Sequence, residues 1–322
     1  MNDLLPIIEI IRGSTHDGPG MRTTIFTKGC PLSCLWCQNP ESIGSNLEPW
    51  YETGKCIGCM ECIGSCNKTA LSLGEQGIVI NRDLCVGCGE CASSCPAKAI
   101  MLTGTNWTMD GLIHEVQKDR HYYKEFGGGV TVSGGEPLLY ANFIAEFFNR
   151  LRSKETHTAL DTCGCLPTET FMKTAVCADA VLYDIKYIDE SEHMKTTGCG
   201  NLLILNNLKT LAAYIKESLS KQGRKIQLWI RTPLIPGYTA TVQNIKDISD
   251  YIMTHCMEVI ERWELCSFNS ASITKYIKLQ KRWPFEGVSL MKQKEIDLLI
   301  KTAQINGFPP GKLAATGLID IT

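Results

Sequence analysis

Short apolar runs alternate with amphipathic stretches along most of the chain, as expected of strands laid side by side with helices between them. RTTIFT (22–27) is a strand that feeds directly into a cysteine-rich loop. Thr108 is placed to cap a helix whose apolar residues Met109, Leu112, Ile113 and Val116 share one face. GVTV (129–132) reads as a strand ending in SGGEP, and ANFIAEFFNRL as the helix after it. Strands follow at 157–161 (HTALD) and 180–186 (AVLYDIK), then the helix NLLILNNLKTLAAYIKE and the strand KIQLWIR (225–231). A helix around NIKDISDYIMTH and a last strand near VIERWEL complete the pattern. Strands separated by helices predict parallel βαβ units. About six of them predict an open or partial barrel rather than a closed one. Ligands in such folds sit at the carboxyl ends of the strands, where the polar motifs here recur.

Residues 51–102 break the pattern. They hold an internal repeat, KCIGCMECIGSC and then LCVGCGECASSCP, which is Gly-rich and almost without helical periodicity. The predicted organisation is a small domain, 51–102, inserted into a larger one formed by 1–50 and 103–322. A chain of 322 residues, 44% hydrophobic and 20% charged, can bury a large core plus such a satellite. A formal net charge of −2 gives no broad basic face for nucleic acid. The locally basic segments KESLSKQGRK (216–225) and KYIKLQKRW (275–283) read as solvated helix faces or loops. No apolar run approaches the roughly 18 residues of a membrane span, and the N-terminus lacks a basic n-region. A cytoplasmic, unprocessed protein is therefore expected, with no membrane partner.

Seventeen cysteines change the picture. Without a secretory signal, metal or redox chemistry is their expected use. Cys30, Cys34 and Cys37 form a C-x3-C-x2-C loop. Three thiolates from one loop can hold three corners of a cubane cluster and leave one iron open to a substrate. A structural zinc, with His16 or one of the five other histidines as fourth ligand, is the alternative. Cys56, Cys59, Cys62 and Cys66 form a C-x2-C-x2-C-x3-C run, and Cys85, Cys88, Cys91 and Cys95 form another. In the two-cluster bacterial pattern the fourth cysteine of each run ligates the other cluster. That assigns Cys56, Cys59, Cys62 and Cys95 to one [4Fe-4S] cluster, and Cys85, Cys88, Cys91 and Cys66 to the second. Pro96 follows the last cysteine as the pattern expects, whereas Asn67 stands where the first run should have proline. Two zinc ions are the alternative here. The remaining six thiols, Cys163 and Cys165 among them, have no motif and read as core or incidental.

GCPLSCLWCQNPES resembles the signature of the radical S-adenosylmethionine (SAM) superfamily. Together with STHDGPGMRTTIF before it, the stretch is similar to the glycyl-radical enzyme activating enzymes, over essentially the whole chain. The resemblance implies an α/β fold: a partial (β/α)6 radical SAM barrel with an inserted small ferredoxin-like α+β domain. It implies three [4Fe-4S] clusters, with SAM on the open iron through its amino and carboxylate groups. Trp36 matches an aromatic position near cluster and adenine, and would otherwise be core. Gly134, Gly135 and Glu136 match contacts to the methionine amino group, although SGGEP alone could be any turn. Asp184 and Lys186 match the lining of the SAM site, Arg231 in RTPLIPG a further SAM contact, and Asp161 with Thr162 a monovalent-cation site. Read without the resemblance, these are ordinary polar strand ends. Asp17, in the tight turn HDGPG, matches a positioning residue on a loop facing the partner chain. Many activases carry histidine in a PFHxLG segment; here the stretch is CSFNSAS, with Asn269 at that position, and the contact is not transferred.

The expected activity follows. An electron from a ferredoxin or flavodoxin passes through the insert to the loop of Cys30, Cys34 and Cys37, SAM is cleaved to methionine and a 5′-deoxyadenosyl radical, and the radical takes hydrogen from a backbone glycine of a glycyl-radical enzyme. The insert points to the lyase, dehydratase and decarboxylase branches, and the activase is expected to be a monomer. A radical SAM enzyme acting on RNA or a small molecule would need a basic groove or recognition domain, and neither is visible. A plain electron carrier would leave the three-cysteine site without a purpose. The insert could also serve as a docking scaffold.

Overall fold

A computed structural model describes residues 4–221 and 223–320. Its strands, in chain order, are β1 (Leu4–Ser14), β2 (Arg22–Thr27), β3 (Pro49–Tyr51), β4 (Leu71–Gly74), β5 (Gly77–Ile80), β6 (Ile100–Leu102) and β7 (Thr105–Thr108). They continue with β8 (Gly129–Gly134), β9 (His157–Thr162), β10 (Ala180–Asp184), β11 (Gln227–Leu234), β12 (Ile260–Ser267) and β13 (Leu313–Thr316). The helices are α1 (Glu61–Gly64), α2 (Glu90–Ser93), α3 (Met109–Gln117), α4 (Arg120–Glu125), α5 (Ala141–Arg152), α6 (Thr168–Ala175), α7 (Glu190–Thr197), α8 (Leu202–Ser220), α9 (Val242–His255), α10 (Ile273–Lys278) and α11 (Gln293–Ile305).

Among the described residues one nine-stranded sheet runs in the order β13-β12-β11-β10-β9-β8-β2-β1-β7. Every pairing from β2 to β13 is parallel, while β1 is antiparallel to both its neighbours. The six expected strands are β2, β8, β9, β10, β11 and β12, and β7 and β13 form the two free edges. The architecture is thus α/β with an open parallel sheet. Local chemistry explains where helices begin: Thr108 accepts from Gly111 N, Asp189 from Glu192 N and Thr241 from Asn244 N, each satisfying one orphan donor of a first turn. Phe147 and Phe148 on α5, Phe171 on α6 and Trp263 on β12 are fully buried against the sheet. Each such burial is worth about 1.5–3 kcal/mol.

The cysteine-rich segment carries two antiparallel pairs, β3 with β6 and β4 with β5, and the short helices α1 and α2. It is tied to the rest by side chains that replace backbone partners. Gln280 donates from Nε2 to Ile78 O (2.7 Å) and accepts from Ile80 N (3.1 Å), so its amide caps the edge of β5. Arg82 donates to Leu279 O and to Glu48. In the basic segment 275–283, Lys281 and Arg282 are exposed as a solvated stretch would be, but Leu279 is buried, Tyr276 and Trp283 are buried in a cluster with Trp36 and Phe268, and Lys278 lies over the Trp50 ring at 4.9 Å. Among the described residues, no helix is long and apolar enough to cross a membrane.

Candidate active site

The loop after β2 is fixed from both sides by backbone hydrogen bonds. Gly29 N donates to Ser42 O and Cys30 N to Ile43 O, closing the loop on itself, while Ser33 N and Leu35 N donate to Thr197 O and Thr196 O at the end of α7. Lys28, fully buried, donates to Glu41 O (2.6 Å), and Tyr276 donates to Cys37 O (3.2 Å). Gln38 donates to Asn269 O (3.1 Å), so Asn269 braces the loop through its backbone. Held this way, Cys30, Cys34 and Cys37 line a cavity of about 350 Å³. Burial pushes the Cys37 thiol up to about 12 and raises Cys30 and Cys34 as well, with Lys186 opposing the rise at Cys34. Such thiols ionise only beside strong positive charge, which suits an iron-bound set.

The opposite wall is built from consecutive strand ends. Gly134 and Gly135 close β8, Asp161 and Thr162 close β9, Asp184 ends β10 with Lys186 just beyond, and β11 presents Arg231; all line the cavity. The glycines are required by close approach. A Cβ at Gly134 would stand 2.1 Å from Thr27 N, and one at Gly135 would stand 2.1 Å from Gly29 O. Ser133 donates to Asp161 (2.7 Å), and Arg231 lies 3.4 Å from the same carboxylate. Burial pushes Asp161 up to about 6, with Arg231 lowering it and Asp184 raising it. Lys186 donates to Asp184 (2.6 Å); burial alone would lower its pKa, but Asp184 holds the ammonium charged. Arg231 Nε is buried without a hydrogen bond although Glu264 lies 3.5 Å away, leaving an orphan donor beside the cavity. Two cations, Lys186 and Arg231, the latter with an orphaned donor, and two glycines fit a zwitterionic ligand with a carboxylate.

Trp36 lines the cavity and is 5% exposed, packed near Tyr238 at 6.3 Å and in one cluster with Phe268 and Phe285. Its core and cavity readings hold together. Asp17 also borders the cavity and accepts from Ser14 (2.6 Å) and Thr24 (2.8 Å). Glu136 is placed differently from its neighbours: fully buried and outside the cavity lining, it accepts from Thr162 Oγ1 (2.7 Å), Cys163 N (2.9 Å), Cys163 Sγ (2.8 Å) and Leu138 N (3.1 Å). Burial raises its pKa, with those hydrogen bonds pulling the other way. Cys163 and Cys266, which carried no motif, line the cavity as well. Their signal was position: Cys163 follows Thr162 at the end of β9, and Cys266 is the last residue but one of β12. Cys165 lies 2.9 Å from Cys199, sulfur to sulfur.

In the insert the thiols gather by fours around two small cavities. Cys56, Cys59, Cys62 and Cys95 line one, and Cys66, Cys85, Cys88 and Cys91 line the other, so the fourth cysteine of each run stands with the other run's three. Backbone amides already point at two of these sulfurs, Ala70 N at Cys66 (3.3 Å) and Ala99 N at Cys95 (3.2 Å). α1 and α2 both start from a residue in the left-handed region, Met60 (φ 61) and Gly89 (φ 85), which is how the repeat turns each run back on itself. Among the described residues no three His, Cys, Asp or Glu groups converge as a single-ion site would require. His16 engages Arg231 through its backbone oxygen. A donor set spread around a cavity suits a cluster with its own volume.

The 4Fe-4S dicluster domain family matches residues 55–99. The chain is 40% identical, over 92% of its own length and 93% of the relative's, to the trans-4-hydroxy-L-proline dehydratase activating enzyme of Clostridioides difficile. It is 35% identical to the isethionate sulfite-lyase activating enzyme of Oleidesulfovibrio alaskensis, over 87% and 88% of the two chains. It is 36% identical to the indoleacetate decarboxylase activating enzyme of Tractidigestivibacter scatoligenes, over 85% and 83%. Likeness of this extent, spanning both the thiol loop and the insert, shows that the chain belongs to the radical SAM activating enzymes of glycyl-radical enzymes.

Proposed function

We propose that this activase reductively cleaves SAM and abstracts a hydrogen atom from a backbone glycine of a partner glycyl-radical enzyme of the lyase, dehydratase or decarboxylase branch. The observation that carries the reading is the convergence of Cys30, Cys34 and Cys37 with Asp161, Asp184, Lys186 and Arg231 on one cavity. Residues 1–50 and 103–322 form the radical SAM barrel, and 51–102 the ferredoxin-like insert. When bound, three [4Fe-4S] groups and SAM supply what side chains lack: low-potential electrons, received from a ferredoxin or flavodoxin, and one-electron cleavage to methionine and a 5′-deoxyadenosyl radical that removes the glycine hydrogen.

The protein's part is holding and orienting. Cys30, Cys34 and Cys37 would hold the loop cluster, and the two thiol sets of the insert would hold the others. Lys186 and Arg231 attract the ligand carboxylate. Gly134 and Gly135 let backbone groups approach the amino group. Asp161 and Thr162 would offer oxygens to a monovalent cation, Asp184 would line the SAM site with Lys186, and Trp36 would pack beside cluster and adenine. Asp17 borders the mouth by which the partner's glycine loop enters. Glu136 acts behind this wall, orienting Thr162 and Cys163.

Anaerobic incubation of the reduced protein with SAM should release 5′-deoxyadenosine. With the partner classes named for the relatives it should give a glycyl-radical doublet in electron paramagnetic resonance. Cys34→Ala should abolish both. A wild-type protein that carries its iron and releases no 5′-deoxyadenosine would overturn the reading.

A further inference from the structure

Tyr51 ends β3, paired with Ile100 of β6, and is 5% exposed. Its hydroxyl is buried and has no hydrogen-bond partner among the described residues. Folded proteins rarely leave such a group alone unless an ion, water or cofactor completes it. The residue lies on the wall of the cavity shared by Cys56, Cys59, Cys62 and Cys95. Gly77, at φ 105, makes room: a Cβ there would stand 2.2 Å from the hydroxyl oxygen. The twin cavity lacks an equivalent. Around Cys66, Cys85, Cys88 and Cys91 the buried lining besides thiol is Pro49, Ala70, Leu71 and Gly89, none with a hydroxyl, and the charged members, Lys68 and Glu90, are exposed.

We infer that the Tyr51 hydroxyl donates a hydrogen bond to the sulfur shell of the centre held by Cys56, Cys59, Cys62 and Cys95, and sets that centre's reduction potential above its twin's. The inference rests on the reading of the insert as a two-cluster domain. Sulfur carries more negative charge in the reduced centre than in the oxidised one. A donor aimed at it therefore stabilises the reduced form, and hydrogen bonds to the sulfurs are among the terms that set such potentials. The two halves of the repeat are then unequal, and an electron entering the insert rests beside Tyr51. Tyr51 is a positioning residue for charge, and it touches the cluster shell without supplying a ligand.

The test uses the full chain, anaerobically loaded with iron and sulfide, in a Cys30→Ala, Cys34→Ala, Cys37→Ala background that leaves only the insert centres. Their potentials are followed by paramagnetic resonance during redox titration. Tyr51→Phe should shift one couple to more negative potential, leaving the other couple and the iron content unchanged. Both couples unmoved at full iron content would overturn the inference, and so would an equal shift of both, which marks a general structural effect. Because the phenylalanine variant could assemble poorly, a second arm replaces tyrosine throughout by 3-fluorotyrosine, a more acidic donor. It should move the same couple the opposite way, and no movement overturns the inference. A parent chain that takes up no insert iron would instead refute the two-cluster reading, and iron counting tells that outcome apart.

Discussion

Replacing Gly135 by alanine tests whether the SGGEP turn and the thiol loop form one wall. A Cβ at Gly135 would stand 2.1 Å from Gly29 O and 3.0 Å from Ser42 O. Both obstacles are backbone, so no rotamer change relieves them. Reaching even 3.0 Å from Gly29 O requires the two loops to part by 0.9 Å, the difference between 3.0 and 2.1. The movement would strain the bonds that hold them, Glu136 N to Gly29 O (2.7 Å) and Gly135 N to Thr27 O (2.9 Å), and would carry Cys30 with it. Overpacking of this kind costs about 1–3 kcal/mol, which corresponds to SAM binding weakened roughly 5- to 150-fold if it falls on the liganded state. A displacement near 1 Å at a reacting centre can lower turnover by about 100-fold. Equilibrium dialysis of SAM and the rate of 5′-deoxyadenosine release measure the two effects. Gly311→Ala is the control, because a Cβ there meets nothing within 4 Å. A Gly135→Ala protein that binds and cleaves SAM within about twofold of wild type, under ~0.4 kcal/mol, would refute the shared wall.

Lys186→Met removes the ammonium beside Asp184; losing a hydrogen bond to a charged group, about 1.5–3 kcal/mol, should weaken SAM roughly 10- to 150-fold by dialysis, and an unchanged affinity would remove Lys186 from the site. Asp161 rises from its ordinary 3.8 to about 6 in the fold, so its contribution to stability is complete below pH 3.8 and fades as pH rises through 6. Wild type should therefore lose stability relative to Asp161→Asn between about pH 4 and 6.5, read as the difference in denaturation midpoint of the SAM-free proteins; parallel pH profiles would contradict the shift. In the insert, Cys56→Ala with Cys95→Ala should leave one four-iron centre intact by iron count and spectroscopy, whereas Cys85→Ala with Cys95→Ala should damage both. The reverse result would mean that each run closes on its own cluster.

The strands that build the site were readable because each is a short apolar run ending in polar residues. Gly129–Gly134, His157–Thr162 and Ala180–Asp184 lie within two residues of their expected bounds. β1 was missed because its alternation is broken by Pro6 and by register shifts between Ile7 and Glu9 and between Ile11 and Ser14. α7 was missed because the face it buries is polar, His193, Thr196 and Thr197, and these serve to seat the thiol loop. α11 does bury Ile296, Leu299 and Ala303 at helical spacing, but it lies in a segment without motifs. Cysteine spacing carried the ligand sets of the insert, since a repeated short loop fixes which thiols can share a cluster. It carried nothing about Cys163 and Cys266, whose place at the cavity depends on strand register.

SGGEP shows how one short motif divides its work. Its first residue, Ser133, reaches sideways to Asp161 (2.7 Å), and its two glycines let β8 end against the backbone of the thiol loop. Glu136 then turns away from the cavity and gathers four donors, three of them from Thr162 and Cys163 at the end of β9. Swinging the carboxylate toward a ligand would forfeit those bonds, each worth about 1.5–3 kcal/mol to a charged acceptor, and would free Thr162 Oγ1, which also accepts from Gly164 N (2.9 Å). The carboxylate is therefore worth more as the tie between two strand ends than as a direct contact in this geometry. What borders the cavity is the backbone of Gly134 and Gly135, whose position that tie and the Gly29 contact fix together.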